Sequence, residues 1–280
     1  MSIISGALYV VATPIGNLGD ISQRAIEVLS GVALIAAEDT RHSGKLLHHF
    51  GIKTPAMALH DHNERTVSGS IVTRLLSGEA VALVSDAGTP LISDPGYHLV
   101  AQARAAGCRV VPVPGASALL AALSASGLPS ERFIFEGFLP AKAGARQARL
   151  EQLQGEHRTL VFYEAPHRIV ASIAAMGAVF GVDRQAVIAR ELTKTFETIH
   201  GDTLAGLSGW LASDTNQQRG EFVVMVGGAP FEDQLIDSEA ERVLRLLLDE
   251  MPLKQAAALA AKITGVKKNL LYQFALALTR

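Results

Sequence analysis

The sequence predicts an α/β protein with three parts: a mostly parallel sheet first, a smaller α/β domain with a mixed sheet next, and a helical extension at the C-terminus. Three observations carry this. Through the first 115 residues, short runs that are apolar throughout alternate with longer helical ones. Such strands belong to a sheet covered on both faces, and the helices between them supply the cover. Two glycine-proline breaks, at 127–130 and 227–230, punctuate the chain, and from Ser238 onward strand signals give way to three short helical runs. The division expected is an N-terminal domain over 1–117, a second α/β domain over 118–230 and a helix-turn-helix-like extension over 238–280.

ALYVVA (7–12) reads as a buried strand because it is short, apolar and closed by Thr-Pro. Asp20 then precedes a helical run over 21–29, with Gln23 three positions later, a near match to a capping box. VALIAA (32–37), PAMAL (55–59), AVALVS (80–85) and CRVVPV (108–113) repeat the strand signal, and several intervening helical runs end at a glycine: Gly51, Gly78 and Gly107. RFIFEGF, RTLVFYE, AVIAREL and FVVMVGG are the strand candidates of the second domain, separated by a basic helix and a helical run over 169–180. In the extension, Pro252 favours a helix start, Gly265 marks a turn, and Ala261, Val266, Leu271 and Phe274 take the apolar positions of a helix-turn-helix. Its second helix opens with Lys267, Lys268 and Asn269, at the end where such helices meet nucleic acid. A plain helical hairpin is the alternative.

With 280 residues, 49% apolar and 19% charged, the chain can bury a sizeable core. With a net charge of −2, bulk charge does not point to a nucleic-acid partner, and any such contact must use local basic patches. Cys108 is the only cysteine, which excludes a disulfide framework and a thiolate metal site. His60-Asp61-His62 has no cysteine partners and no H-x-x-x-H spacing, so substrate contact is the better reading and no metal is expected. The N-terminus lacks a basic signal-like region, and apolar stretches such as 116–125 are shorter than the ~20 residues a bilayer requires. A soluble, cytoplasmic protein without a membrane partner is expected.

Ligands of open parallel sheets bind beyond the carboxyl ends of the strands. Four unusual loops, read as following consecutive strands at that edge, are TPIGNLGD (13–20), EDTRHSGK (38–45), SDAGTPLISDPG (85–96) and PVPGASA (112–118). No G-x-x-x-x-G-K-[ST] and no G-x-G-x-x-G is present, which argues against nucleoside triphosphates and dinucleotides. The loops carry Asp86, Asp94, Thr89 and Ser117 but few cations. A phosphate-free ligand offering amide, hydroxyl and cationic groups suits them, and S-adenosylmethionine is such a molecule.

These loops, together with LHDHNE, ALSASGLPSERF, FEGFLPAK, LVFYEAPHR, ARELTKTFETIHG and GVKKNLLYQFAL, run in order through nearly the whole chain. In them the chain resembles the ribosomal RNA small subunit methyltransferase I family of the tetrapyrrole methylase superfamily. The resemblance implies a two-domain class III S-adenosylmethionine-dependent fold, a homodimer, and methylation of a cytidine 2′-hydroxyl in 16S rRNA of the small ribosomal subunit. It places cofactor contacts at Ile15 and Gly16, at Asp86, Ala87, Gly88 and Leu91, and at Ser117 and Ala118. From the second domain it adds Tyr163, Glu164, Leu192, Glu221 and Phe222. The first loop, T-P-I-G-N, departs from the G-A-G-P-G-D of tetrapyrrole enzymes.

Holding the two reactants of methyl transfer in line contributes ~7–11 kcal/mol, against ~10²–10⁴-fold for a general base. Positioning therefore dominates. The resemblance implies an acidic proton acceptor after the second strand, which makes Glu38, Asp39 and Arg41 the catalytic candidates, with Glu38 or Asp39 accepting the hydroxyl proton and Arg41 holding RNA phosphate. The alternative is that Arg41 pairs with an adjacent carboxylate. Lys142, Arg146 and Arg149 fall at i, i+4 and i+7, so a helix there would present one basic face to RNA or simply to solvent. Two rival functions share these features: a corrin or porphyrin methylase, and a non-catalytic regulator that senses S-adenosylmethionine and binds DNA.

Overall fold

The five strands expected first in the chain are Ala7–Val11 (β1), Leu34–Ala37 (β2), Ala56–Ala58 (β3), Val81–Val84 (β4) and Arg109–Val113 (β5). The computed structural model describes residues 3–230, 236 and 238–278, so the last two residues of the expected extension, 279–280, lie outside the described residues. All pairings in this sheet are parallel, in the order β3-β2-β4-β1-β5. The apolar runs are explained by two-sided burial. Tyr9, Ile35 and Val84 join one core cluster with Val28 and Leu29, while Leu8, Leu34 and Leu83 join another with Ile71, Leu75 and Leu99. Alternate residues of a strand face opposite ways, so one run feeds both layers. The four loop-bearing strands are not consecutive in the chain, because β3 intervenes. They are adjacent in the sheet, because β4 returns between β2 and β1.

The helices here are Gln23–Gly31 (α1), Thr40–His49 (α2), Glu64–Leu76 (α3), Tyr97–Ala105 (α4) and Ala118–Ala125 (α5). Asp20 does not cap α1. It ends a short 3-10 turn, and Ser22 is the cap, its Oγ accepting the Ala25 N–H at 3.1 Å. The glycine exits do form: Gly51, Gly78 and Gly107 have φ of +66°, +94° and +77°. At each, the next N–H turns back onto the helix, as when Ile52 donates to the Leu47 carbonyl at 2.9 Å. The N-terminus of α4 has no side-chain cap of its own, since Gly96 stands there. Glu64, at 4% exposure, supplies one from α3, its Oε1 accepting the Leu99 N–H at 3.1 Å. Glu64→Ala would orphan that donor and is expected to cost about 1–3 kcal/mol in urea denaturation, with Glu64→Gln losing less.

The second sheet contains Phe133–Phe138 (β6), Thr159–Glu164 (β7), Gln185–Arg190 (β8), Thr198–Thr203 (β9) and Phe222–Val226 (β10), in the order β6-β7-β10-β8-β9. β6 and β7 are parallel and the other pairs antiparallel, giving the expected mixed sheet. β9 (TIHGDT) was not expected: it lies at the edge, half-exposed and polar, and carries no apolar run. Ala143–Leu153 (α6), Ile169–Phe180 (α7) and Leu204–Ser213 (α8) cover one face through Leu150, Ile173 and Leu207. On the other face lies α5, whose Leu119, Ala122 and Leu123 meet Val161, Val187 and Met225. Both sheets belong to one compact unit, residues 1–229.

Residues 230–280 form a second unit, with helices Ser238–Glu250 (α9), Leu253–Thr264 (α10) and Lys268–Leu278 (α11). Ala256, Ala257 and Ala260 of α10 are fully buried against Leu244 and Leu271, and small side chains let these helices close on one another. Gly265 takes the left-handed conformation at φ +76° and donates to the Ala261 carbonyl. Two details differ from expectation. Pro252 caps α10 rather than opening its first turn, and Lys267 precedes α11, which begins at Lys268. Among the described residues no helix is long and apolar enough to cross a membrane.

Candidate active site

Beyond the carboxyl ends of β1, β2, β4 and β5 opens a cavity of about 420 Å³, within the range of small-ligand sites. Ile15, Glu38, Asp86, Gly88, Asp94 and Ser117 wall one side, while Phe138, Tyr163, Pro166, Leu192 and Phe222 wall the other.

Loop-to-loop hydrogen bonds hold the first wall. The Asp86 N–H donates to Glu38 Oε2 at 3.3 Å, and the Asp39 N–H donates to Asp86 Oδ1 at 3.1 Å, so the loops after β2 and β4 brace each other. Thr13 and Gly88 exchange backbone hydrogen bonds of 2.8 and 3.0 Å, linking the loop after β1 to the same turn. Gly88 has φ +80°, and a Cβ there would stand 3.2 Å from Ile15 Cγ2, so this turn requires a glycine. Leu91 and Ser93 are left-handed without being glycine, at φ +73° and +69°, a cost that recurs where loops are shaped for function. On the opposite wall a bulge at Gly137 brings β6 beside Ser93 and sets Phe138, 53% exposed, at the cavity mouth. Tyr163 meets Phe138 and Phe135 edge-on, and its hydroxyl accepts the Leu119 N–H at 3.2 Å.

The cavity is electronegative. Among the described residues, five carboxylates line it and no lysine, arginine or histidine does. Glu164 is neutralised by Arg168 at 3.2 Å and bonded to Ser172, and Glu221 pairs with Lys194 at 2.8 Å. Among the described residues, Glu38, Asp86 and Asp94 have no such cation. Burial raises the Glu38 carboxyl above its ordinary value, and the charges of Asp86, Asp61 and Asp39 add to this. Burial first, then Glu38, Asp86 and Asp61, pushes Asp94 up to about 6, against a hydrogen bond with Ser85. Burial also raises Tyr163.

The remaining sequence candidates fall in different places. Ala87 and Ala118 line the cavity beside Gly88 and Ser117. Leu91 does not: its side chain turns back toward Leu83 beneath Gly96, and Ile92, Ser93 and Asp94 hold the wall instead. Gly16 lies outside the lining, under Lys194, whose Cγ a Cβ at Gly16 would approach to 2.5 Å. Lys194 also binds Glu191 at 2.9 Å, so it ties the first loop to the β8–β9 connection. Of the catalytic candidates, Glu38 alone faces the cavity. Asp39 caps α2 and takes Arg41 on both oxygens at 3.2 and 2.9 Å, which holds Asp39 down at about 2. Arg41 thus adopts the pairing alternative, 89% exposed.

Lys142, Arg146 and Arg149 do not form one basic face. Lys142 precedes α6, Arg146 is buried at 8% exposure, and Arg149 makes a fork with Glu136 at 2.8 and 2.9 Å. Lys267, Lys268 and Asn269 are together and exposed at the start of α11. Asp94, Phe138 and Pro166 are among the lining residues to which sequence reasoning assigned no role, as are Thr89, Ile92, Ser93, Ala165 and Val223. Asp94 stood in a loop already singled out, whereas Phe138 lies in a strand that reads as ordinary packing.

Comparison with known proteins places this geometry among methylases. The family model for tetrapyrrole (corrin/porphyrin) methylases matches residues 7–208, and that for the RsmI C-terminal HTH domain matches residues 234–279. The chain is 67% identical over 274 residues to ribosomal RNA small subunit methyltransferase I of Pseudomonas aeruginosa, covering 97% of each chain. It is 56% identical over 271 residues to the protein of that name from Escherichia coli O157:H7, covering 97% of this chain and 95% of the other. Among solved structures, the methyltransferase CobJ has a TM-score of 0.59 at 19% identity, over 80% of this chain and 95% of the other. Diphthine synthase has a TM-score of 0.58 at 17% identity, over 79% and 90%. At those identities the structural likeness shows the fold.

Proposed function

From the premise that the chain belongs to the tetrapyrrole (corrin/porphyrin) methylases, and within them to the ribosomal RNA small subunit methyltransferase I family, we propose that it is an S-adenosylmethionine-dependent methyltransferase acting on a cytidine 2′-hydroxyl of 16S rRNA. The observation that carries the cofactor is electrostatic. A cavity lined by carboxylates without a facing cation disfavours phosphate and suits a positively charged sulfonium.

Ile15, Asp86, Ala87, Gly88, Ser117 and Ala118 would hold the donor from the first wall, and Tyr163, Leu192 and Phe222 from the second. Glu164 and Glu221, each already paired with a cation, shape that wall, and Gly16 lets Lys194 close over its edge. The donor supplies an activated methyl group; the protein must place a sugar oxygen in line with it and keep water out. Glu38 faces that reaction space, while Asp39 and Arg41 brace the start of α2 beside it. In this reading the division at 117/118 marks two lobes sharing the cavity. Lys267, Lys268 and Asn269 contact RNA in the small subunit, and the enzyme works as a cytoplasmic homodimer. Family membership supports these parts.

Calorimetry with S-adenosylmethionine, and mass mapping of ribose methylation in small-subunit RNA from cells with and without the gene, test the reading. Saturable binding and loss of one cytidine methyl group are expected. Unchanged RNA methylation would remove the proposed substrate, and absence of binding would remove the cofactor.

A further inference from the structure

The apolar wall of the cavity is unevenly covered. Leu192, Phe222 and Val223 are buried, whereas Phe138 is 53% exposed and Pro166 stands exposed at the same mouth. Isolated exposed apolar side chains are common on protein surfaces. Phe138 differs in being aimed and held.

The aim comes from the bulge in β6. Phe133 and Phe135 pair with Thr159 and Val161 of β7, and with Tyr163 they pack on the side that carries α5. In an unbroken register Gly137 would fall opposite Tyr163. Phe138 would then point to the side of α6 and α7, with Ile134 and Phe162. The extra residue instead sets Gly137 opposite Phe162 and Phe138 opposite Tyr163, which turns the ring to the cavity side. Gly137 makes the shift possible: its φ is +65°, and a Cβ there would stand 2.9 Å from Ser93 Oγ. Tyr163 then holds the ring edge-on, at 5.7 Å between centroids, and is itself held by Phe135 at 4.9 Å and by the Leu119 N–H. Arg168 donates to the Leu139 carbonyl and so fixes the next residue. The ring remains half open to solvent.

We propose that Phe138 is the platform on which the target nucleobase stacks while the attached ribose hydroxyl enters the cavity. This rests on the function proposed above. The accepting oxygen must reach a donor inside the cavity, and the base is joined to the neighbouring sugar carbon. A nucleotide that delivers its hydroxyl inward therefore leaves its base at the mouth, where Phe138 stands. To enter a concave site, that base must leave its stack, and single-stranded RNA is read in this way, with splayed bases laid on aromatic rings. The buried stretch of the wall, at Leu192, Phe222 and Val223, is left to the donor. A rigid ring serves this purpose at low entropic cost, and the contacts with Tyr163 and the bulge supply the rigidity.

The test is single-turnover methyl transfer from labelled, saturating S-adenosylmethionine to small subunits from cells lacking the enzyme, with subunit concentration varied and full-length protein throughout. Phe138→Ala should lower the ratio of maximal rate to half-saturating subunit concentration by about 10–100-fold. Its donor affinity by calorimetry should stay within about threefold of the wild type. Phe138→Tyr, which keeps an aromatic face, should recover to within about threefold, whereas Phe138→Leu should behave as the alanine variant does. A loss of less than about fivefold in Phe138→Ala would overturn the assignment. Recovery by leucine would do so as well, since apolar packing would then suffice. An equal fall in donor affinity would give the ring to the donor instead, and a changed sedimentation coefficient in Phe138→Ala would give it to a contact between copies. Donor binding by the wild type without any transfer to subunits would defeat the substrate reading, and the assignment with it.

Discussion

Gly88→Val is expected to lower affinity for S-adenosylmethionine by at least about a hundredfold, as read by calorimetry, while the protein remains folded. Holding a non-glycine residue in the left-handed region costs ~1–3 kcal/mol, more for a β-branched one. Gly88 stands at φ +80° and is held there by its paired hydrogen bonds with Thr13. The new side chain would press on Ile15, 3.2 Å from the added Cβ, and so displace one wall of the cavity toward the donor. Since ~1.4 kcal/mol is tenfold in binding, backbone strain and the moved wall together account for the factor. Gly88→Ala should lose less. Affinity within about tenfold of the wild type for the valine variant would mean that this turn does not shape the donor site.

The second large effect is expected at α11. Replacing Lys267 and Lys268 by glutamate should weaken binding to small ribosomal subunits by about 10–100-fold and lower the salt slope by about two, roughly one per phosphate contact removed. Donor affinity should not change. Filter binding at several salt concentrations, beside calorimetry on the same variant, measures both. Equal loss of the two affinities would assign the extension a packing role, and loss of neither would place RNA recognition elsewhere.

Much of the fold was legible because burial on both faces forces whole runs such as ALYVVA and AVALVS to be apolar, and left-handed exits favour glycine. β9 was not, because a half-exposed edge strand such as TIHGDT needs no apolar run. The cap of α1 was misplaced by two residues because Asp20 and Ser22 are both good caps, and tertiary context chose Ser22. At the site, loop chemistry singled out Asp86, Thr89, Asp94 and Ser117, all of which line the cavity, while side-chain direction remained hidden: Leu91 and Asp94 share a loop, yet of the two Asp94 faces the cavity. The basic spacing of α6 misled for a related reason. Spacing does not reveal that Arg146 is buried or that Glu136 waits for Arg149.

The position of β10 bears on how the molecule is made. It is the last strand in sequence among the described residues, yet it pairs with β7 on one side and β8 on the other. Until residue 226 has left the ribosome, the second sheet exists only as two separated halves, each with an open seam. That lobe therefore completes folding after synthesis of nearly the whole unit, through contacts distant along the chain, which are slow to form. Because Phe222 and Val223 also wall the cavity, a nascent chain stopped before β10 lacks part of that wall. The cavity is walled on both sides only once β10 has emerged and paired.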